Sequence, residues 1–385
     1  MESLEVEVVT FGMFIIGMSF YPLARLIIDS VHTVDEIDYI TRRSKAELLG
    51  GAGTYAAVGS RLVAGRANAK RVGWIVDQGS DFPGAFAAII DSWGTSVVYR
   101  SDSARLTTRA WNGYGPGEHR DFKYLTPKIR LDQDSLSDTQ LASKAFHMVC
   151  SSERCMSLAE GLEQRRRRLN SIALPRPRLV WEPVPELCVP SELEKLKCAM
   201  KVVDIVSPNS EELAEFFIAS KGVQTQSEMA DWVLGSGIGV DGTGALVVRE
   251  GSEGASVYTR KWFIHLPAYH TLASMVKDPT GGGNAYLGGL MMAMGRKVEP
   301  DMDIVEATLK HVIEPAQTSD ARAGTLICAA IYATIAASYV IEQAGMPLLS
   351  ASGGTEIWNG ETFTSRLAKY VTREKEHIAK SLQIR

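Results

Sequence analysis

The chain alternates short apolar runs, too brief to be helices, with longer segments of helical period. The runs are Arg71-Val72-Gly73-Trp74-Ile75-Val76, Thr95 to Tyr99, Phe146-His147-Met148-Val149-Cys150, Arg178-Leu179-Val180-Trp181, Ile205-Val206-Ser207 and Gly244-Ala245-Leu246-Val247-Val248. Most are continuously apolar instead of alternating, the pattern of strands covered on both faces. Helical patterns lie between them, such as Phe82 to Ser92, which stops near Gly94, and the Arg-rich stretch after Cys150. This alternation predicts an α/β fold with a central, mostly parallel sheet and helices on both faces. Val6 to Ile16 reads as its first strand, and Ala321 to Gln343 as a helix ended by Gly345-Met346-Pro347. No internal repeat or low-complexity linker divides the 385 residues, so one large domain is expected.

With 45% hydrophobic and 22% charged residues, the chain can fill a large core. A net charge of −4 gives no electrostatic basis for nucleic-acid or anionic-membrane partners. Five cysteines without a C-x-x-C pair (Cys150, Cys155, Cys188, Cys198 and Cys328) read as buried, reduced thiols of a cytoplasmic protein. The apolar stretch Phe11 to Ile28 follows Glu2, Glu5 and Glu7 and is broken by Pro22 and Arg25, so it suits neither a signal peptide nor a membrane span. No His/Cys/Asp cluster has structural-metal spacing. Ser101 to Leu125 is punctuated by Gly113, Gly115, Pro116 and Gly117 with aromatics between, and reads either as a protruding lid or as a plain surface hairpin.

Chemistry concentrates at Asp278-Pro279-Thr280-Gly281-Gly282-Gly283-Asn284, which runs into the small, apolar segment Ala285 to Met294. Three glycines let backbone amides approach an anion without Cβ obstruction, and a following helix adds unpaired N–H groups and the positive end of its dipole. The alternative is a purely structural strand–helix turn.

The run resembles the second signature, Asp-Thr-x-Gly-Ala-Gly-Asp, of the PfkB (ribokinase-like) carbohydrate kinases. Gly50-Gly51-Ala52-Gly53-Thr54-Tyr55 resembles that family's first signature beside the sugar pocket. Pro208-Asn209-Ser210-Glu211-Glu212 matches its Asn-x-x-Glu motif, and Arg249-Glu250-Gly251-Ser252-Glu253-Gly254 its nucleotide-side Gly-x-x-Gly. The motifs fall in family order, and Trp181-Glu182-Pro183-Val184-Pro185 and Tyr286-Leu287-Gly288-Gly289 look most like the fungal maintenance-of-killer subgroup. The resemblance implies a ribokinase-like fold with lid segments at about 36–49 and 97–125, and an ATP- and Mg2+-dependent phosphotransferase acting on an alcohol of a sugar or nucleoside. It implies catalytic roles for Gly281, Gly282, Gly283 and residue 284, and nucleotide contacts from Asn209, Glu212, Arg249, Gly251, Gly254 and Thr280. It further implies magnesium at Glu212, acceptor contacts from Asp35, Gly50, Gly51, Tyr55 and Arg109, and a homodimer through the lid. Asn209 and Glu212 have a second reading as a helix cap.

Several positions depart from the family pattern. Asn284 replaces the aspartate that takes the acceptor's proton; it can position a hydroxyl but has no titratable carboxylate. Tyr55 stands near the usual asparagine and reshapes a sugar pocket, and Arg249 stands where many relatives have threonine. Gly17 to Val34 reads as an insertion, such as a retained intron, that displaces the first strand's acidic end to Asp35. These departures keep open a catalytically degenerate relative, a pseudokinase that binds nucleotide or metabolite as a regulator. His147 reads as a hydrogen-bonded strand residue, and Arg165 to Arg168 as an exposed helix face.

Overall fold

The computed structural model describes residues 5–22, 43–114, 120–169, 174–220 and 222–385. In chain order the strands are β1 (Val8–Thr10), β2 (Ile15–Pro22), β3 (Arg43–Gly50), β4 (Val72–Gln78), β5 (Ser96–Ser101), β6 (Arg109–Tyr114), β7 (Arg120–Tyr124) and β8 (Ala145–Cys150). They continue as β9 (Arg178–Pro183), β10 (Ile205–Val206), β11 (Ala245–Arg249), β12 (Ala255–Tyr258), β13 (Trp262–Leu266), β14 (Leu349–Ser352), β15 (Thr355–Trp358) and β16 (Gln383–Ile384).

Ten of them form one sheet in the order β16-β13-β12-β11-β10-β9-β8-β1-β4-β5. Pairing is parallel from β5 across to β11 and antiparallel from β11 to β16. Both faces are covered, as the continuous apolar runs require. Trp74, Trp93 and Trp262 lie in one buried cluster, and Phe146, Trp181 and Phe216 in the other. β3-β2-β6-β7 make a separate four-stranded sheet, the lid.

Two expected boundaries change. Val6 to Ile16 is not one strand: β1 stays in the large sheet, while β2 opens at Ile15 and pairs with β3 and β6 in the lid. A continuously apolar run has no period to betray such a break. Residues 97–101, expected in the lid, belong to β5, which pairs with β4 at the edge of the large sheet. Gly17 to Pro22 continue β2 in register with β3. Residues 23–42, Asp35 among them, lie outside the described residues.

The helix Gly282–Met294 packs between the helices Ala52–Ala64 and Ala323–Val340. Contact with the first is backbone to backbone: a Cβ on Gly288 would lie 2.0 Å from Ala56 O, and one on Gly59 the same distance from Ala285 O. The start of the glycine-loop helix is therefore held by close packing along its length. Ala323–Val340 is long and apolar enough to cross a membrane, but 89% of it is buried inside the fold.

Two surface expectations also change. Arg166 turns inward from the helix Ser152–Leu169, and its guanidinium donates to Ser143 O at 2.8 Å, Pro175 O at 2.9 Å and Leu141 O. Three backbone carbonyls converge on it where its neighbours stay at the surface. All five cysteines are free, and Cys198 is exposed where a buried thiol was expected.

Candidate functional site

Open parallel sheets present their ligand sites at the strands' carboxyl ends, and here five adjacent strands bring chemistry to that edge. Thr10 ends β1 in register with His147 of β8. Glu182 lies at the end of β9, Ser207 to Asn209 follow β10, and Arg249 ends β11. Asn209 and Arg249 form a further parallel bridge that continues the ladder. Asn284 approaches from the first turn of the glycine-loop helix.

The polar side chains form one network. The Asn284 amide nitrogen donates to Glu182 Oε2. Arg249 joins two acids, with Nη1 at 2.9 Å from Glu182 Oε1 and Nη2 at 3.2 Å from Glu212 Oε2. Arg249 Nη2 also donates to Ser207 O at 2.9 Å, while Nε is buried without a hydrogen-bond partner. Behind Glu182, the fully buried His147 sets Nε2 at 3.7 Å from Oε2, and its Nδ1 shares a hydrogen bond with the Thr10 hydroxyl at 3.1 Å.

Two acids and one guanidinium divide the available charge. Burial works to raise the Glu182 carboxyl, but Arg249 and then His147 outweigh it and hold it below the usual carboxylate range. Burial pushes Glu212 up to about 7; Arg249 opposes the shift and the nearby Glu182 charge adds to it.

The glycines permit close approach of other groups. Gly281 has φ +81° and caps the helix. A Cβ there would lie 2.2 Å from the Tyr55 ring, and one on Gly283 would lie 2.1 Å from Arg249 Nη1. The loop is thus flanked by the Tyr55 phenol at Gly281 and by the Arg249 guanidinium at Gly283. Gly282 N donates to Pro279 O at 3.2 Å, so an anion at this loop would meet the positive end of the helix and the Arg249 cation, a pairing that suits a phosphate group.

Magnesium does not fit the network in the same way. Asn209 and Glu212 form a reciprocal capping box at the helix Ser210–Phe217: Glu212 N donates to Asn209 Oδ1 at 2.7 Å, and Asn209 N to Glu212 Oε2 at 2.8 Å. That same Oε2 already pairs with Arg249. Among the described residues, no group of three or more His, Cys, Asp or Glu is arranged to hold a metal.

The other sequence-predicted residues divide by location. Gly50 O accepts from the Thr54 hydroxyl at 2.7 Å, and Gly51, at φ +92°, starts the helix that carries Tyr55. Thr280 N donates to the buried Asp278 carboxylate at 2.9 Å, which shapes the loop before the glycines. Gly251 and Gly254 bound the short turn after Arg249-Glu250. Arg109 is spent inside the structure, pairing with Asp81 at 2.7 Å and Glu47 at 2.6 Å, and so ties the lid to the loop after β4. Glu182 is the residue that sequence reasoning missed. Its signal was an acid placed directly after a buried apolar run, at a strand's carboxyl end.

Solved structures define the fold as ribokinase-like. A Giardia lamblia ribokinase matches with a TM-score of 0.64 at 15% identity, covering 96% of this chain and 99% of that one. A Xylella fastidiosa fructokinase with bound ATP matches with a TM-score of 0.60 at 17% identity, over 96% and 99% of the two chains. A Methanocaldococcus jannaschii nucleoside kinase matches at 0.53 and 17% identity, over 95% and 99%. No protein-family model matches the chain. Sequence relatives are more specific. The chain is 31% identical to an uncharacterized protein of Schizosaccharomyces pombe, over 99% of this chain and 97% of that protein. It is 34% identical to Protein MAK32 of Saccharomyces cerevisiae, over 84% of this chain and 85% of that protein. It belongs to the family these two proteins represent.

Proposed function

We propose that this protein is a phosphotransferase of the sugar or nucleoside kinase type, moving a phosphoryl group from ATP to an alcohol of a small molecule. The observation that carries the reading is the Glu182 carboxylate, buried at the strand ends and held by the Asn284 side chain at the mouth of the glycine cradle. The residues also fit a phosphate group, and solved ribokinase-like neighbours include structures with ATP bound. Bound nucleotide supplies the phosphoryl group.

The chain's own part is positioning, charge stabilisation and proton removal. Gly281 to Gly283 bring amides and the helix end against the transferring group, and the adjacent Arg249 offsets its negative charge. Asn284 orients the acceptor hydroxyl. Glu182 takes the proton as the O–H bond breaks, the oxygen bonds to phosphorus, and the nucleoside diphosphate departs. Arg249 and His147 keep Glu182 ionised for this step, and a loose transfer transition state asks little of the base early on.

The test is ATP consumption by purified protein across a sugar and nucleoside panel. Glu182→Gln is expected to lower kcat by roughly 10²–10⁴-fold while ATP still binds. Turnover unchanged by Glu182→Gln would remove the carboxylate from the reaction. A second reading, a nucleotide- or metabolite-binding regulator without turnover, is favoured by the Tyr55 ring packed on Gly281. ATP binding with no turnover on any acceptor would select it.

A further inference from the structure

We infer that Arg249 is a built-in cation that takes the place of a divalent metal between Glu182 and Glu212, so that this site binds a polyphosphate directly. The inference rests on the reading of the cradle as a nucleotide site and concerns how that site is neutralised.

The geometry gives three reasons. Arg249 reaches both acids at ion-pair distance, so the position between them is filled by the guanidinium. The same guanidinium lies against the glycine-loop helix, with Nη1 2.1 Å from where a Gly283 Cβ would stand. Only glycine lets the two meet there, and the cation consequently borders both the acids and the anion cradle. Third, Ser207 O accepts from Nη2 and fixes the fork from the strand side. A magnesium ion needs near-octahedral oxygen ligands and keeps several waters. To take Glu212 Oε2 it would compete with both Arg249 and the Asn209 amide, and would stand beside a guanidinium still held by Glu182, a like-charge contact that disfavours the ion. An arginine offers phosphate planar, paired donors instead, at fixed charge and without dehydrating an ion.

The experiment uses the full-length protein and MnCl2 as a paramagnetic probe for a divalent site. Wild type is expected to leave the Mn2+ spectrum free at concentrations where Arg249→Met binds about one ion per chain, the exposed acids now acting as ligands. Adding Glu212→Gln to Arg249→Met should abolish that binding. Arg249→Met/Glu182→Gln likewise leaves a single acid and should lose that binding too, and thermal melts of each variant check that it is folded. Arg249→Lys, which keeps the charge, should exclude the ion. A second arm titrates ATP into wild type in EDTA and in excess Mg2+, followed by intrinsic tryptophan fluorescence; affinities should agree within about twofold. Stoichiometric Mn2+ binding by wild type, or no Mn2+ binding by a folded Arg249→Met, would overturn the inference. So would ATP affinity that falls about tenfold or more in EDTA. Failure of ATP to bind under both conditions would remove the nucleotide reading, while the Mn2+ arm still decides the role of Arg249.

Discussion

Asn284 and Glu182 are joined side chain to side chain, the amide nitrogen of one donating to Oε2 of the other across the mouth of the glycine cradle. The asparagine is therefore matched to an acid brought in by a different strand. Asn284→Asp should set two carboxylates against each other, raising one pKa and costing about 1–3 kcal/mol of stability. Asn284→Asp/Glu182→Gln returns the site to one acid and should recover most of that loss. Thermal melts of the three proteins at pH 7 check this, and additive losses in the double variant would contradict the pairing.

Glu212 sets a pH dependence of known sign. Its folded pKa is about 7, above the ordinary 4.5, so between these values the folded state holds a proton that the unfolded chain releases. Its contribution is fully present below about pH 4.5 and is lost as pH rises through about 7. Glu212→Gln keeps the capping box, because glutamine also suits that position, and should flatten the fall in stability across this window. Urea unfolding of both proteins at pH 5 and 7.5 measures the difference.

Gly281 is constrained twice, by φ +81° and by the Tyr55 ring on its open side. Gly281→Ala is expected to cost about 2–4 kcal/mol from the two strains together. Trimming the ring in Gly281→Ala/Tyr55→Ala relieves only the steric part. The pair should therefore show a favourable coupling in a double-mutant cycle read from denaturant midpoints.

The lid is tied down by Arg109 between Asp81 and Glu47. Asp81 is held below the usual carboxylate range: burial acts to raise it, and hydrogen bonds from Thr107 and Arg109 outweigh that effect. These partly exposed pairs contribute at most about 1 kcal/mol to global stability. Arg109→Met should leave the melting temperature nearly unchanged yet speed amide exchange in β6, measured by hydrogen–deuterium exchange.

Much of the sheet was legible because strands buried on both faces spell themselves out: Phe146 to Cys150 and Gly244 to Val248 fall on β8 and β11 almost residue for residue. The close packing at Gly281 and Gly283 was legible for a related reason, since backbone approach leaves a compositional mark. What stayed hidden depends on distance in sequence. Arg249 and Glu182 are 67 positions apart, and nothing local to either announces the other. Asn209 and Glu212 read equally as a cap and as a ligand pair, and the capping geometry appears only once the helix is built. Arg166 was misjudged because the carbonyls that bury it come from other segments.

The break between β1 and β2 has a mechanical meaning. Residues 11–14 alone separate a strand of the large sheet from a strand of the lid, and Phe11 N is fastened to His147 O at 2.8 Å. Thr10, immediately before this crossing, carries the hydroxyl that meets the His147 ring. A tilt of the lid would therefore pivot on the backbone beside that histidine. On the proposed function, an acceptor that tilts the lid should turn the same few peptide units that seat His147 behind Glu182. The expected outcome is a change in the His147 ring resonances on adding an acceptor analogue, with no change for a compound that does not bind.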